Sequence, residues 1–266
     1  MASPRVLLLG ASGKVARLMI PHMLQRGWKV FGVVRNPDYV PELKALGSNV
    51  EVLVKSLEDV KSASDAKQVI DSTKPDYIVW SAGAGGKGGA SRTFAIDRDA
   101  AKAYIEAAAN EPFVKKFLLV SYNASRRNKA SWYSDKDWDA AQEVNNGALK
   151  NYFIAKVEAD EYLQAWAKKR QQSDPSFQAI DLRPGALTDD PPTGQVLMGK
   201  IPPRGSVPRA DVADVAVRLL EREDTNGYFD LLGGDEPTAE AIDRVVSQGL
   251  DAFEGEDSQR IYSLVK

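Results

Sequence analysis

Between residues 10 and 16 the chain reads Gly10-Ala11-Ser12-Gly13-Lys14-Val15-Ala16, a G-x-x-G-x-x-A pattern set between an apolar run and an amphipathic stretch. Glycines at that spacing let backbone N–H groups approach a pyrophosphate, and the helix that follows turns its positive end to the same charge. An ordinary strand-to-helix turn uses the same glycines, so a second signal has to decide. A dinucleotide fold reads the adenine ribose about 20 residues further on, where an acid takes a free 2′-hydroxyl. Here that place holds Val33-Val34-Arg35-Asn36, with no acid. Arg35 suits a 2′-phosphate instead, through charge-assisted hydrogen bonds. Loop and arginine together point to NADP(H). Gly83-Ala84-Gly85-Gly86-Lys87-Gly88-Gly89 also satisfies G-x-x-G-x-x-G, but Ala90-Ser91-Arg92 after it shows no immediate helical pattern. Neither Lys14 nor Lys87 is followed by Ser or Thr, which argues against a Walker-type triphosphate loop.

The elements that must position these residues alternate from the start. Val6–Leu9 is a continuous apolar run ending at glycine, the mark of a strand buried on both faces. A helix follows over Lys14–Arg26, with Pro21 expected to bend it. The pattern then gives a strand at Lys29–Val34, a helix from near Pro41, a strand at Val50–Val54 and a helical stretch from about Leu57 to Ser72. Further strands are expected at Tyr77–Trp80, Phe117–Val120 and Phe177–Leu182, with helices at Asp97–Asn110 and Asn151–Arg170. Strands joined by such long connections form a parallel sheet with helices on both faces, an α/β doubly wound fold. From Arg183 the chain is Pro-rich to Pro208, then gives a helix at Ala210–Arg222, a strand at Tyr228–Leu232 and a helix around Thr238–Gln248. No linker divides the chain, so residues 1–266 read as one domain: a cofactor-binding core to about 186 and a smaller, irregular C-terminal lobe over about 187–266 for the substrate.

Composition narrows the chemistry. Zero cysteines exclude a disulfide scaffold, a thiolate nucleophile and Cys-ligated metals. The one histidine, His22, falls on the first helix away from the glycine loop and reads as structural or surface-lying. Lys plus Arg number 35 against 37 Asp plus Glu, so no nucleic-acid or anionic-membrane partner is expected, and the partner is a small molecule. The Val6–Leu9 run is too short for a signal-peptide core, which makes a cytoplasmic compartment the expectation. The sequence is silent on oligomeric state.

Val6–Arg35, Tyr77–Gly83, Phe117–Ser121, Tyr152–Lys156 and Leu182–Leu187, taken in order, resemble the atypical short-chain dehydrogenase/reductase superfamily, and within it the NAD(P)-binding NmrA-like members. The resemblance implies a Rossmann-type fold, NADP(H), and hydride transfer to or from a carbonyl, alcohol or imine. It makes Tyr152 the acid/base and gives Lys156 two tasks, holding the cofactor ribose and lowering the phenol pKa. Tyr262 and Lys266 repeat the Tyr-x-x-x-Lys spacing, but Tyr152 and Lys156 alone follow the fifth strand on a long helix. A hydroxyl just after that strand polarises the substrate oxygen; Ser121 is the first choice, with Asn123 and Ser125 open. The resemblance also implies that Lys55-Ser56-Leu57 flanks adenine, Ser81-Ala82-Gly83 runs under the ribose, and Pro184-Gly185-Ala186-Leu187 closes over the carboxamide. Two rivals share the fold: a non-catalytic NADP(H)-sensing regulator and a redox-neutral isomerase or epimerase. The long connection Arg126–Asn146, with Trp132, Tyr133 and Trp138, reads equally as a lid or as a surface hairpin or short helix.

Overall fold

In the computed structural model, which describes residues 3–85 and 88–265, strand β1 (Arg5–Leu9) shows why its apolar residues do not alternate with polar ones. Val6 and Leu8 enter one hydrophobic core and Leu7 and Leu9 enter another, on opposite faces of the sheet. The other strands are β2 (Lys29–Val34), β3 (Val50–Val54), β4 (Tyr77–Trp80), β5 (Lys116–Val120), β6 (Gln178–Pro184), β7 (Ala186–Thr188), β8 (Gln195–Met198), β9 (Ser206–Pro208), β10 (Gly227–Gly233) and β11 (Glu236–Pro237). Among the described residues, nine of these form one sheet in the order β11-β8-β10-β6-β5-β4-β1-β2-β3. The seven from β3 to β10 are parallel to their neighbours, and β8 runs antiparallel to β10 and β11. Strand order reverses between β1 and β4, and a crevice opens outside their carboxyl ends. This is the doubly wound, Rossmann-type sheet expected.

Helices α1 (Lys14–Gln25), α8 (Arg209–Glu221) and α9 (Thr238–Ser247) cover one face, where Met19, Val215 and Ile242 share the core with Val6. On the other face α3 (Ala63–Thr73), α5 (Ala101–Ala109) and α7 (Lys150–Arg170) bring Ile70, Tyr104 and Leu163 against Leu7. The remaining helices are α2 (Tyr39–Lys44), α4 (Gly89–Thr93), α6 (Asp135–Asn146) and α10 (Ser258–Tyr262). None of the described helices is long and apolar enough to cross a membrane.

Two helical stretches differ from expectation for local reasons, and the open connection resolves into one of its alternatives. The stretch from Leu57 divides into a 3-10 turn (Leu57–Asp59) and α3, because Ser62 and Asp65 close a reciprocal capping box that starts a new helix. The helix expected from Asp97 begins earlier, at Gly89, and passes through a π-helical segment, Phe94–Ala100. Its first turn buries no side chain and so leaves no periodic apolar signal. The Arg126–Asn146 connection resolves as a short helix, α6, capped by Ser134, with Tyr133 buried and its ring centroid 5.8 Å from Trp132 and 6.4 Å from Trp138. Helix α1 runs through Pro21, which sits exposed. His22 lies 3.9 Å from Asp214 on α8. Lys266, and Gly86 and Lys87 of the second glycine run, lie outside the described residues.

Under the carboxyl end of β6, Arg183 faces Asp230 of β10 across the sheet, Nε to Oδ1 at 2.9 Å, both fully buried. The contact is an ion pair without hydrogen-bond alignment; Arg183 Nη2 donates to the Asn123 carbonyl and its guanidinium lies 4.3 Å from the Tyr228 ring centroid. Removing one partner leaves a buried charge uncompensated. Arg183→Ala is therefore expected to lose about 3–5 kcal/mol in urea denaturation, and Arg183→Met with Asp230→Leu to recover much of it. A loss below about 1 kcal/mol in the single variant contradicts this role.

Candidate functional site

The loop after β1 fixes the site. Gly10 takes a φ of +81°, and a Cβ on it would sit 2.6 Å from the Cα of Ala82, so the loops after β1 and β4 touch backbone to backbone. Gly13 is different: its φ of −67° is ordinary, and what it needs is space, since a Cβ there would be 3.1 Å from the Gly10 carbonyl oxygen. Gly13 is also the N-cap of α1, with no side chain to accept from the first turn and no acid within it. The positive end of α1 thus has neither a side-chain cap nor an acid of its own. Ala11 is fully buried and its N–H donates to the Val33 carbonyl at 3.0 Å, so it ties the loop to β2 rather than facing out.

From this loop a cleft of about 700 Å³ follows the carboxyl ends of β1, β2, β4 and β5. Gly10, Ser12, Gly13, Lys14 and Val15 line its middle, and Ser81, Ala82 and Gly83 line the facing wall. At the mouth Lys14 and Arg209 both bond Asp189, the latter at 2.7 Å. Arg35, Asn36 and Leu57 line one end. There Arg35 donates to Glu58 at 2.8 Å, while Ser56 stays off the cleft and accepts from the Glu58 N–H. The Arg92 and Arg35 guanidiniums hold the Glu58 carboxyl below its usual range.

Helix α7 builds the other end. Tyr152, Lys156 and Asp160 recur every fourth residue and share one face. Tyr152 and Lys156 line the cleft together with Ser121 at the end of β5. The Lys156 ammonium donates to the Val120 carbonyl at 2.8 Å. The phenol of Tyr152 is pushed up by burial, and further by Asp97 and Asp160. That direction is opposite to the lowering implied by the resemblance: burial and the two carboxyls set it, and the Lys156 charge acts on Asp97 and Asp160.

Of the three candidates after β5, Ser121 alone lines the cleft; Asn123 and Ser125 are buried away from it, with Asn123 donating to the Pro202 carbonyl. Ser121 Oγ and Ser125 Oγ both donate to Oδ2 of Asp160, at 2.7 and 2.5 Å. Burial raises the Asp160 carboxyl while Lys156, Arg183 and both serines favour its charged form. Asp181, near it and without a partner on either oxygen, is raised well above the carboxylate range by burial and by the Asp160 charge. Ser121 spends its hydrogen inward on Asp160 and offers lone pairs to the cleft.

Pro184, Gly185 and Ala186 do not line the cleft, and Leu187 does. A Cβ on Gly185 would meet Leu232 at 2.3 Å, so this segment packs against β10. Asp97 was not read from the sequence. It sits on the π-helical segment, lines the cleft, and accepts the Ala84 N–H at 2.9 Å. Gly83 makes room for it, since a Cβ there would be 2.8 Å from its Oδ1. The signal for it in the sequence is the second glycine run, whose first glycine, Gly83, seats Asp97 and heads no phosphate loop.

Residues 10–223 match the family model described as NAD(P)H-binding, and the chain belongs to that family. It is 31% identical over 244 residues to a Bacillus subtilis protein named as an uncharacterized sugar epimerase, YhfK, covering 91% of this chain and 100% of that one. A solved Bacillus halodurans structure, provisionally described as an NAD-dependent epimerase/dehydratase, superposes with a TM-score of 0.70 at 29% identity, over 91% of this chain and all of that one. The Lactococcus lactis oxidoreductase ylbE shares the fold at a TM-score of 0.70 and 21% identity, over 91% of this chain and 97% of that one. The family shown is NAD(P)H-binding, with relatives that carry epimerase names, and is broader than the NmrA-like subset the motifs resemble.

Gly13→Val should fold and lose nucleotide binding, because its methyls occupy the space above the α1 N-terminus. Calorimetric titration with NADPH checks this; undiminished affinity in a folded variant would reduce the loop to a plain turn.

Proposed function

We propose that this member of the NAD(P)H-binding family is an NADP(H)-dependent oxidoreductase that moves a hydride to or from a small organic carbonyl, alcohol or imine. One observation carries the reading: a single cleft joins the uncapped N-terminus of α1 to the Tyr152 phenol. The residues fit the cofactor. Gly10 and Gly13 keep the loop free of side chains where a pyrophosphate must approach, and the α1 N-terminus meets its charge. Arg35 stands exposed at the tip of β2, where it would meet a 2′-phosphate, and Lys156 lines the far end, where it would hold the ribose. When bound, the dinucleotide supplies or accepts the hydride.

The chain's own residues supply the proton chemistry. Tyr152 holds its proton at neutral pH and can give it to a substrate oxygen or nitrogen as negative charge develops there. Ser121, its hydrogen committed to Asp160, orients by accepting, which suits a substrate or cofactor group that carries N–H or O–H. Leu149, Leu187 and Ile96 give this end apolar walls that limit water. Residues 1–266 act as one domain, with those beyond about 186 shaping the substrate end. A redox-neutral second reading draws on Asp97: a buried carboxyl beside Tyr152 places an acceptor next to a donor, as an epimerase needs, and the B. subtilis relative carries that name.

Tyr152→Phe should leave NADPH affinity nearly unchanged and lower turnover by about 10²–10⁴, measured as single-turnover NADPH oxidation with a panel of carbonyls and imines. A wild-type rate in that variant removes Tyr152 from the chemistry. Wild type should bind NADPH roughly tenfold to hundredfold more tightly than NADH, and Arg35→Ala should narrow the difference. Product formed without net change at 340 nm would favour the redox-neutral reading.

A further inference from the structure

A second guanidinium accompanies Arg35 at its end of the cleft. Arg35 Nη1 and Arg92 Nε both donate to Oε1 of Glu58, each at 2.8 Å, and all three residues line the cleft. They come from three separate elements: the tip of β2, the 3-10 turn after β3, and α4. Arg92 reaches this place because Gly88 lacks a side chain. Gly88 has a φ of +86°, and a Cβ on it would sit 2.5 Å from the Arg92 Cδ. The Arg92 Nη1 also donates to the Ala84 carbonyl at 3.2 Å, which fixes the plane of the guanidinium. The glycine run that does not head a phosphate loop thus seats an arginine facing one.

Charge and geometry define what this arrangement can hold. Two guanidiniums converge on one carboxylate oxygen of Glu58. A phosphomonoester brings about −1.5 to −2 and three strong acceptor oxygens, which matches two planar forks better than a single carboxylate oxygen does. Glu58 stands on one turn of 3-10 helix with its side chain about one-third exposed, so it can swing to solvent without unpacking anything.

We propose that Arg35 and Arg92 form a two-guanidinium clamp for the 2′-phosphate of NADP(H), and that Glu58 is the resident anion which the phosphate displaces. This rests on the cofactor reading above and extends it. With Glu58 present the clamp is pre-organised but partly neutralised, so the carboxylate limits discrimination against a nucleotide bearing a free 2′-hydroxyl.

The test compares 2′,5′-ADP with 5′-AMP, which differ only in the 2′-phosphate, by calorimetric titration of the full chain. NADPH and NADH are run alongside. Arg92→Gln should weaken 2′,5′-ADP about tenfold and leave 5′-AMP unchanged, with Arg92→Lys recovering part of the loss. Glu58→Gln, a surface change that should leave the melting temperature close to wild type, should tighten 2′,5′-ADP about twofold to fivefold without tightening 5′-AMP. Should Arg92→Gln fail to fold, Glu58→Gln alone decides. A 2′-phosphate preference that Arg35→Ala removes but that neither Arg92→Gln nor Glu58→Gln alters overturns the clamp and leaves the NADP(H) reading standing. Equal affinity of wild type for the members of each pair overturns the NADP(H) preference, and the clamp with it.

Discussion

The contact between Gly10 and Ala82 is the constraint on which the cleft depends. A β-carbon on Gly10 would lie 2.6 Å from the Ala82 Cα, closer than packed atoms can come, so this approach exists only with glycine. It brings the loops after β1 and β4 together where strand order reverses, and it sets α1 with its N-terminus along the crevice. Each other wall of the cleft is placed relative to that contact. Ala11 locks the loop to β2 and so to Arg35, and Ser81–Gly83 carry the facing wall toward Asp97 and α7.

Around this frame the cleft wall is built from carboxylates set against cations. Glu58 faces Arg35 and Arg92, Asp189 faces Lys14 and Arg209, and Asp160 lies beneath Ser121 near Lys156 and Arg183. Exposed pairs of this kind add little to stability, and they hold Arg35, Arg92, Lys14 and Arg209 along the cleft. The buried group behaves differently. Burial pushes the Asp160 and Asp181 carboxyls up, and Ser121, which gives its hydrogen to Asp160, can only accept from the cleft.

Much of this was legible in the residues because it is local. β2, β3 and β4 match their apolar runs at both ends: β2 and β4 are buried between neighbours in the parallel sheet, and β3, at its edge, is bounded by polar or turn residues. The Gly10 loop and Arg35 follow from spacing along a single βαβ unit. What stayed hidden depends on contacts between distant segments. Nothing near Ser121 announces that Asp160, on a helix about forty residues on, takes its hydrogen. α4 left no pattern because it buries nothing, and so Arg92 could not be placed beside Glu58. The phenol of Tyr152 was expected to titrate low beside a lysine, yet its burial is a property of the assembled cleft and not of the Tyr-x-x-x-Lys spacing.

The central claim is that one dinucleotide lies along the whole cleft, with its reactive ring between Ser121 and Tyr152. A crystal structure of the chain with NADP⁺ tests it most directly. The account predicts pyrophosphate density over the Gly13–Val15 amides and the nicotinamide against the Tyr152 phenol. Density with the adenine at the Tyr152 end, or a nucleotide bound outside this cleft, would contradict it.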